Sequence, residues 1–303
     1  MPHEPHHPHH DSEYHHPHHP HHAAEHPFAH PELQSKKNWL TMPLAVIIAA
    51  VIIGGAIMVS NKGTTYTIPK AQVATVPVPM PTETDRRLGN PDSPVTIIEY
   101  SDTECPFCKV FHKTMHSVID FYGKEGTVSW VYRHFPLYKP GTDGRALHAL
   151  AGKQAEAIEC AFEQGGAAGF WKYTDKIYEI TPSNNGLALA QLYTTAKDLG
   201  FDSAAFRTCL DSDRYADRIS RAYDDAVAAG GSGTPYVALI SKRKITERIQ
   251  KKIYAGLMEE IQKNNPNAVL PGDFFTFDGE GYKIVWSGAL PVELMKVVID
   301  AVK

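Results

Sequence analysis

The sequence predicts an α/β fold that carries an inserted helical subdomain and is preceded by a single transmembrane helix. Three observations predict it. The β-branched run Val95-Thr96-Ile97-Ile98-Glu99-Tyr100 is followed closely by Cys105-Pro106-Phe107-Cys108 and then by an amphipathic stretch. A second apolar run, Tyr236 to Ile240, follows the turn Gly233-Thr234-Pro235, and between the two strands short helical faces surround Cys160 and Cys209. Finally, residues 38–61 contain no charged side chain.

The N-terminal elements follow from composition. Residues 1–30 hold 13 of the 17 histidines, interleaved with proline, so residues 1–37 read as a disordered His/Pro-rich tail unable to bury a core. Neutral imidazoles in such a tract can take up Zn, Ni or Cu, although their irregular spacing argues against a defined site. Residues 38–61 read as a transmembrane anchor: about 20 residues at 1.5 Å rise cross about 30 Å of hydrocarbon, and Trp39 suits the interface. A cleaved signal peptide is the rival reading, but the preceding region is too long and no small-residue cleavage site follows. Residues 62–90, with Ile68-Pro69 and Val76-Pro77-Val78-Pro79-Met80-Pro81, read as a Pro-rich linker of extended polyproline character.

Residues 91–303 form the remaining domain, long enough for a substantial core. Phe107, Phe111, Met115, Val118 and Tyr122 recur at three- and four-residue spacing, predicting one face of a helix. Cys105 then sits at a helix start, where free N–H groups and the macrodipole favour negative charge and ease its ionisation. Pro106 occupies the first helical position, where a missing N–H costs nothing. One turn on, Cys108 is the expected resolving thiol. Two such thiols can cycle between dithiol and disulfide. A zinc or copper site is the competing chemistry, yet structural zinc wants a second ligand pair at similar spacing, and Cys160 and Cys209 stand alone. A purely structural Cys105–Cys108 bridge would brace very little chain. No metal site is assigned within the domain, and no cofactor is called for. With 30 Lys+Arg against 34 Asp+Glu, the charge offers no case for nucleic acid.

The segment from Gly89 to Cys108, ending Glu99-Tyr100-Ser101-Asp102-Thr103-Glu104-Cys105-Pro106-Phe107-Cys108, resembles the first strand and active site of the DsbA-like thiol:disulfide oxidoreductases of bacterial envelopes, particularly their membrane-anchored branch. Tyr132-Arg133-His134-Phe135-Pro136-Leu137 resembles that family's second strand, and Glu159-Cys160-Ala161 with Phe170-Trp171 its helical insertion, here about 143–230. The resemblance implies a thioredoxin-like fold. It also implies that Pro235 is a cis-proline beside the thiols, that Thr234 presents its backbone to an extended substrate strand, and that Glu99 is a buried acid serving the proton of Cys108. A solvent-facing strand residue is the alternative for Glu99. Where well-known DsbA enzymes carry His between the cysteines, this chain has Phe107, and Glu104 adds negative charge upstream; both predict a less oxidising couple.

The later elements complete the reading. Asp202 can cap a helix on which Phe206, Cys209 and Leu210 share a face, while Ala157, Cys160 and Ala161 share a face of another. Cys160 and Cys209 are expected to meet as a structural disulfide, two free buried thiols or a second redox pair being the alternatives. Across an extra insertion at about 241–281, Ile245, Ile249, Ile253, Leu257 and Ile261 repeat every four residues as an amphipathic helix. A hairpin is expected around Asp278-Gly279-Glu280-Gly281, and Pro291 opens a C-terminal helix.

The functional expectation is an oxidase that introduces disulfides into extracytoplasmic cysteine-containing proteins. It would be reoxidised by a quinone-linked membrane partner and tethered through its own anchor, with the N-terminus cytoplasmic and the catalytic domain outside. Cysteine usage supports that orientation, because all four cysteines follow the anchor and disulfides persist in oxidising compartments. An outward-facing reductase or isomerase, or a thiol/His metal-handling protein, is the alternative.

Overall fold

The computed structural model describes residues 73–74 and 76–303, and its sheet is organised around the fully buried strand β3, Val95–Ser101. In chain order the strands among the described residues are β1 (Val73–Ala74), β2 (Arg86–Leu88), β3, β4 (Val128–His134), β5 (Tyr236–Ser241), β6 (Thr276–Asp278) and β7 (Lys283–Ser287). They lie in the order β1-β6-β7-β5-β3-β4-β2. β3 runs parallel to β4 and antiparallel to β5, with Tyr100 opposite Tyr236 and Val95 opposite Ser241. A parallel pair needs a crossover, and helix α1 (Pro106–Val118) supplies it.

Strand alternation divides the core into two layers. Val95 and Ile97 face the cluster that contains Cys108, Phe111, Met115 and Trp130, while Ile98 and Tyr100 face a smaller cluster with Val131 and Ala238. A near-continuous apolar run is what a strand covered on both faces requires. The insertion comprises α2 (Ala151–Ile180), broken at Gly166 where φ is 57°, then α3 (Ala190–Asp198), α4 (Ser203–Asp211) and α5 (Ala216–Ala228). Asp202 caps α4 as expected, accepting from the Ala205 N–H. After β5 come α6 (Glu247–Gln262), the β6–β7 hairpin and α7 (Val292–Val302). α6 packs on α7, and the chain enters it from Ser241, at the sheet end remote from Tyr236.

Two expectations are corrected. Phe107 does not join the buried face of α1; it is 37% exposed, and the face is made by Cys108, Phe111, His112, Met115 and Val118. The buried face is centred on Cys108, which is fully buried in the same turn, and Phe107 stands one residue, about 100° of helix rotation, away at its margin. The second concerns the 62–90 spacer, whose C-terminal part is built into the domain. Val76 and Val78 are buried, and Arg86–Leu88 pairs with β4, so the fold begins before residue 91. Arg86 explains the strand's attachment: it donates to Glu159 of α2 at 2.5 Å and lies 3.4 Å above the Phe162 ring. The expected tail 1–37 and anchor 38–61 lie outside the described residues. Among the described residues, no helix is long and apolar enough to cross a membrane.

Candidate active site

The two thiols sit where β3 hands the chain to α1. Cys105 is the N-cap residue with extended backbone, Pro106 opens the helix, and the Cys105 carbonyl accepts the first helical bond from the Lys109 N–H. Both thiols are free, Cys105 nearly buried and Cys108 wholly so. The Thr234–Pro235 peptide is cis, and the Thr234 carbonyl accepts a hydrogen bond from Cys105 Sγ at 3.3 Å. Two segments 129 residues apart therefore meet at one sulfur.

The electrostatics of the two sulfurs diverge. Hydrogen bonding from Cys108 pulls the Cys105 thiol down to about 6, aided by the Thr234 side chain and opposed by burial and by Asp102. Burial pushes Cys108 well above the ordinary thiol range, with Cys105, Glu99 and Asp102 adding to the effect. A readily ionised thiol beside a fully buried one that resists ionisation is the asymmetry that disulfide exchange requires.

Glu99 is fully buried on the same sheet face as the thiols, not turned to solvent. Desolvation raises its carboxyl to about 8, against the hydrogen bonds it accepts from Ser101 Oγ at 2.5 Å and Trp130 Nε1 at 3.1 Å. Ser101 Oγ continues to the Tyr178 hydroxyl at 2.7 Å, and that to Tyr132 at 3.2 Å. A buried hydroxyl chain thus ends on Glu99.

Sequence reasoning assigned no role to Asp102 and His148. Asp102, fully buried, accepts from the Glu104 N–H at 2.7 Å and the Leu137 N–H at 2.8 Å and pairs with His148 Nδ1 at 2.7 Å; its own N–H points at Cys108 Sγ, 3.4 Å away. Burial lowers the imidazole pKa, but the bond to Asp102 and the charge of Cys105 outweigh it and raise His148 above the ordinary range. The positive charge absent from Phe107 is therefore available from a residue 46 positions after Asp102. Glu104 accepts from Gln154 Nε2 and from the Gly186 N–H at 3.2 Å, which ties the insertion to the β3–α1 turn. Asp102 raises both sulfurs. No spacing rule would have flagged that pair.

Cys160 and Cys209 are joined as a disulfide between α2 and α4, Cα–Cα 5.9 Å, leaving Cys105 and Cys108 as the free pair. A cleft of about 360 Å³ lined by Arg86, Arg133, His134, Glu159 and Arg218 includes neither thiol. Within it Arg86 and Arg218 pair with Glu159 and Arg133 with Asp85. Phe107 is exposed beside the thiols, and Val110 and Leu147 are exposed too.

A family model described as Thioredoxin matches residues 81–260. Among curated proteins, the chain is 31% identical over 201 residues to the Na(+)/H(+) antiporter NhaA 3 of Salinispora tropica, a match covering 66% of this chain and 27% of that protein. The chain spans about a quarter of the length of the curated relatives it matches. Among solved structures, α-DsbA1 of Wolbachia pipientis superposes with a TM-score of 0.52 at 17% identity, covering 76% of this chain and 96% of that one. DsbA2 of Pseudomonas aeruginosa is 29% identical with a TM-score of 0.42, covering 54% and 82%.

Proposed function

The chain belongs to the Thioredoxin family, and from that premise we propose that it is a DsbA-like thiol:disulfide oxidoreductase working as an oxidase, donating the Cys105–Cys108 disulfide to cysteine-containing proteins outside the cytoplasm. The observation that supports the direction is the Cys105 thiol lowered to about 6 with the Thr234 carbonyl and cis-Pro235 beside it, since a readily ionised Cys105 stabilises the reduced pair. A substrate thiolate attacks Cys105 Sγ of the disulfide. The Cys105–Cys108 bond breaks, a mixed disulfide forms at Cys105, and the electron pair leaves on Cys108, which takes up a proton, Glu99 being the nearby buried acid. A second substrate thiolate then attacks the substrate sulfur, a substrate disulfide forms, and Cys105 departs as a thiolate. A low-pKa sulfur leaves faster, which favours oxidation of the substrate. Thr234 and cis-Pro235 are proposed to align an extended substrate backbone against Cys105, with exposed Phe107 touching its side chains.

The Cys160–Cys209 disulfide supports an oxidising compartment. With residues 38–61 as anchor, the N-terminus would be cytoplasmic and the catalytic domain extracytoplasmic, and a quinone-linked membrane protein would reoxidise the thiols. A reductase is the second reading, favoured by Phe107 in place of His and by Asp102, which opposes both thiolates. The reduction potential of Cys105–Cys108 in the full-length chain, measured against glutathione, separates the two. An oxidase gives a value more positive than about −200 mV, and a value near about −270 mV assigns the reductase. In the same assay C105S loses exchange entirely and C108S accumulates mixed disulfides.

A further inference from the structure

The helix that begins at the thiols carries a second group of donor atoms further along. His112 and His116, at i and i+4 on α1, share a face, and Asp175 of α2 lies against them. His112 Nε2 and His116 Nε2 are 2.7 and 2.8 Å from the same oxygen, Asp175 Oδ1, and 3.2 Å from each other. We propose that these three atoms bind one first-row transition cation of the zinc class, which clamps α1 to the helical insertion. The proposal is independent of the redox chemistry, because neither thiol contributes a ligand.

The donor chemistry selects the ion. Two imidazole nitrogens and one carboxylate oxygen suit zinc, copper or nickel, whereas calcium and magnesium take oxygen cages. Zinc holds such ligands at about 2.0–2.2 Å, so a tetrahedral ion keeps its donors about 3.3 Å apart. The two nitrogens already stand near that separation. Asp175 has to withdraw by about half an ångström, and its side chain is 44% exposed on the helix surface. Without a cation both Nε2 groups compete for one oxygen; with one, all three lone pairs converge on the metal.

The surroundings are graded as a three-ligand site needs. His112 is 4% exposed and His116 37%, so the inner side is closed and a fourth position can take water. The Tyr178 ring stacks on His112 with centroids 4.4 Å apart, and Trp130 stands 5.2 Å from both imidazoles. His112 Nδ1 is buried with no hydrogen-bond partner, so these rings, and not a second hydrogen bond, orient its imidazole and limit water behind it.

The test is thermal unfolding of the full-length chain in its disulfide form, which removes Cys105 and Cys108 as ligands, with Zn²⁺ alone as the probe. Ions taken up by the His-rich residues 1–30 are common to every variant. Metal that binds only the folded domain raises its Tm, by about 5–10 °C at free zinc of one hundred times Kd. His116→Gln and Asp175→Asn, both at partly exposed positions, should each abolish that rise and each bind one equivalent fewer of Co²⁺ with tetrahedral visible bands. A wild-type chain with no rise in Tm, or variants that keep both the rise and the Co²⁺ equivalent, would overturn the proposal.

Discussion

Glu99 shows how much one buried carboxyl can set. Its pKa is raised to about 8 from the 4.5 of an exposed carboxyl, so between those values the folded chain holds a proton that the unfolded chain has lost. Stability from this group therefore falls as pH rises through that window, by at most about 1.4 kcal/mol per pH unit. In disulfide-form protein, Glu99→Gln should flatten the decline between pH 5 and pH 8 in denaturant unfolding. An unchanged slope would show that Glu99 ionises freely. His148, raised as well, stabilises below about 6.5 and loses that contribution as pH climbs through its folded pKa, so some slope should persist in the variant. Because the Cys105 charge raises His148, the imidazolium must lower Cys105 reciprocally. His148→Gln should shift the thiolate titration, followed by ultraviolet absorbance, upward by about 0.5–1 pH unit. Glu99 was legible, standing six residues before Cys105 on a β-branched strand. The Asp102–His148 pair was not, because only the packing of the insertion against the β3–α1 turn brings a residue 46 positions later back to that carboxylate.

At the level of elements, local pattern and long-range contact part company. The strand, the helix start at Pro106 and the Asp202 cap follow from neighbours in sequence, and so appear where the sequence puts them. Phe107 and the 62–90 spacer depended on what lies above or beside them. Proline-rich composition favours extended backbone, but an extended backbone with Val76 and Val78 can also line a core once Arg86 is held by Glu159. Burial alone would raise the Glu159 carboxyl, yet His134, Arg86 and Arg218 hold it down to about 2, a buried charge tolerable only because it is paired. Within the insertion, Cys160–Cys209 closes a loop of 49 residues. Replacing both with Ala should cost about 4 kcal/mol in the chain-entropy model, read as a lower denaturant midpoint with the Cys105–Cys108 potential unchanged. A shifted potential would mean that the bridge also positions the thiols.

Over the whole molecule, the placement of the site at the C-terminal end of β3 is a consequence of topology. β3 and β4 are parallel, α1 must return over the sheet, and the first turn of that helix opens where the strand ends. β5 enters antiparallel from the same end, so its leading cis-Pro235 arrives beside Cys105 without any local signal linking the two. The insertion then covers the α1 side of the sheet, bringing Tyr178 and Asp175 to α1 and His148 to the turn that precedes it.

By itself the sequence determined the chemistry and its frame: CPFC at a helix start, an acid on the preceding strand, and a Thr-Pro turn ahead of a later strand. These are local regularities, set by hydrogen-bonding needs and periodicities that a few neighbouring residues express. Tertiary structure alone decided how far the two sulfurs diverge, which acid opposes them, where a compensating imidazole stands, and that His112, His116 and Asp175 meet. Such properties depend on burial and on distances of a few ångströms between residues far apart in the chain. Chain separation carries no information about them until the sheet and the insertion close on each other.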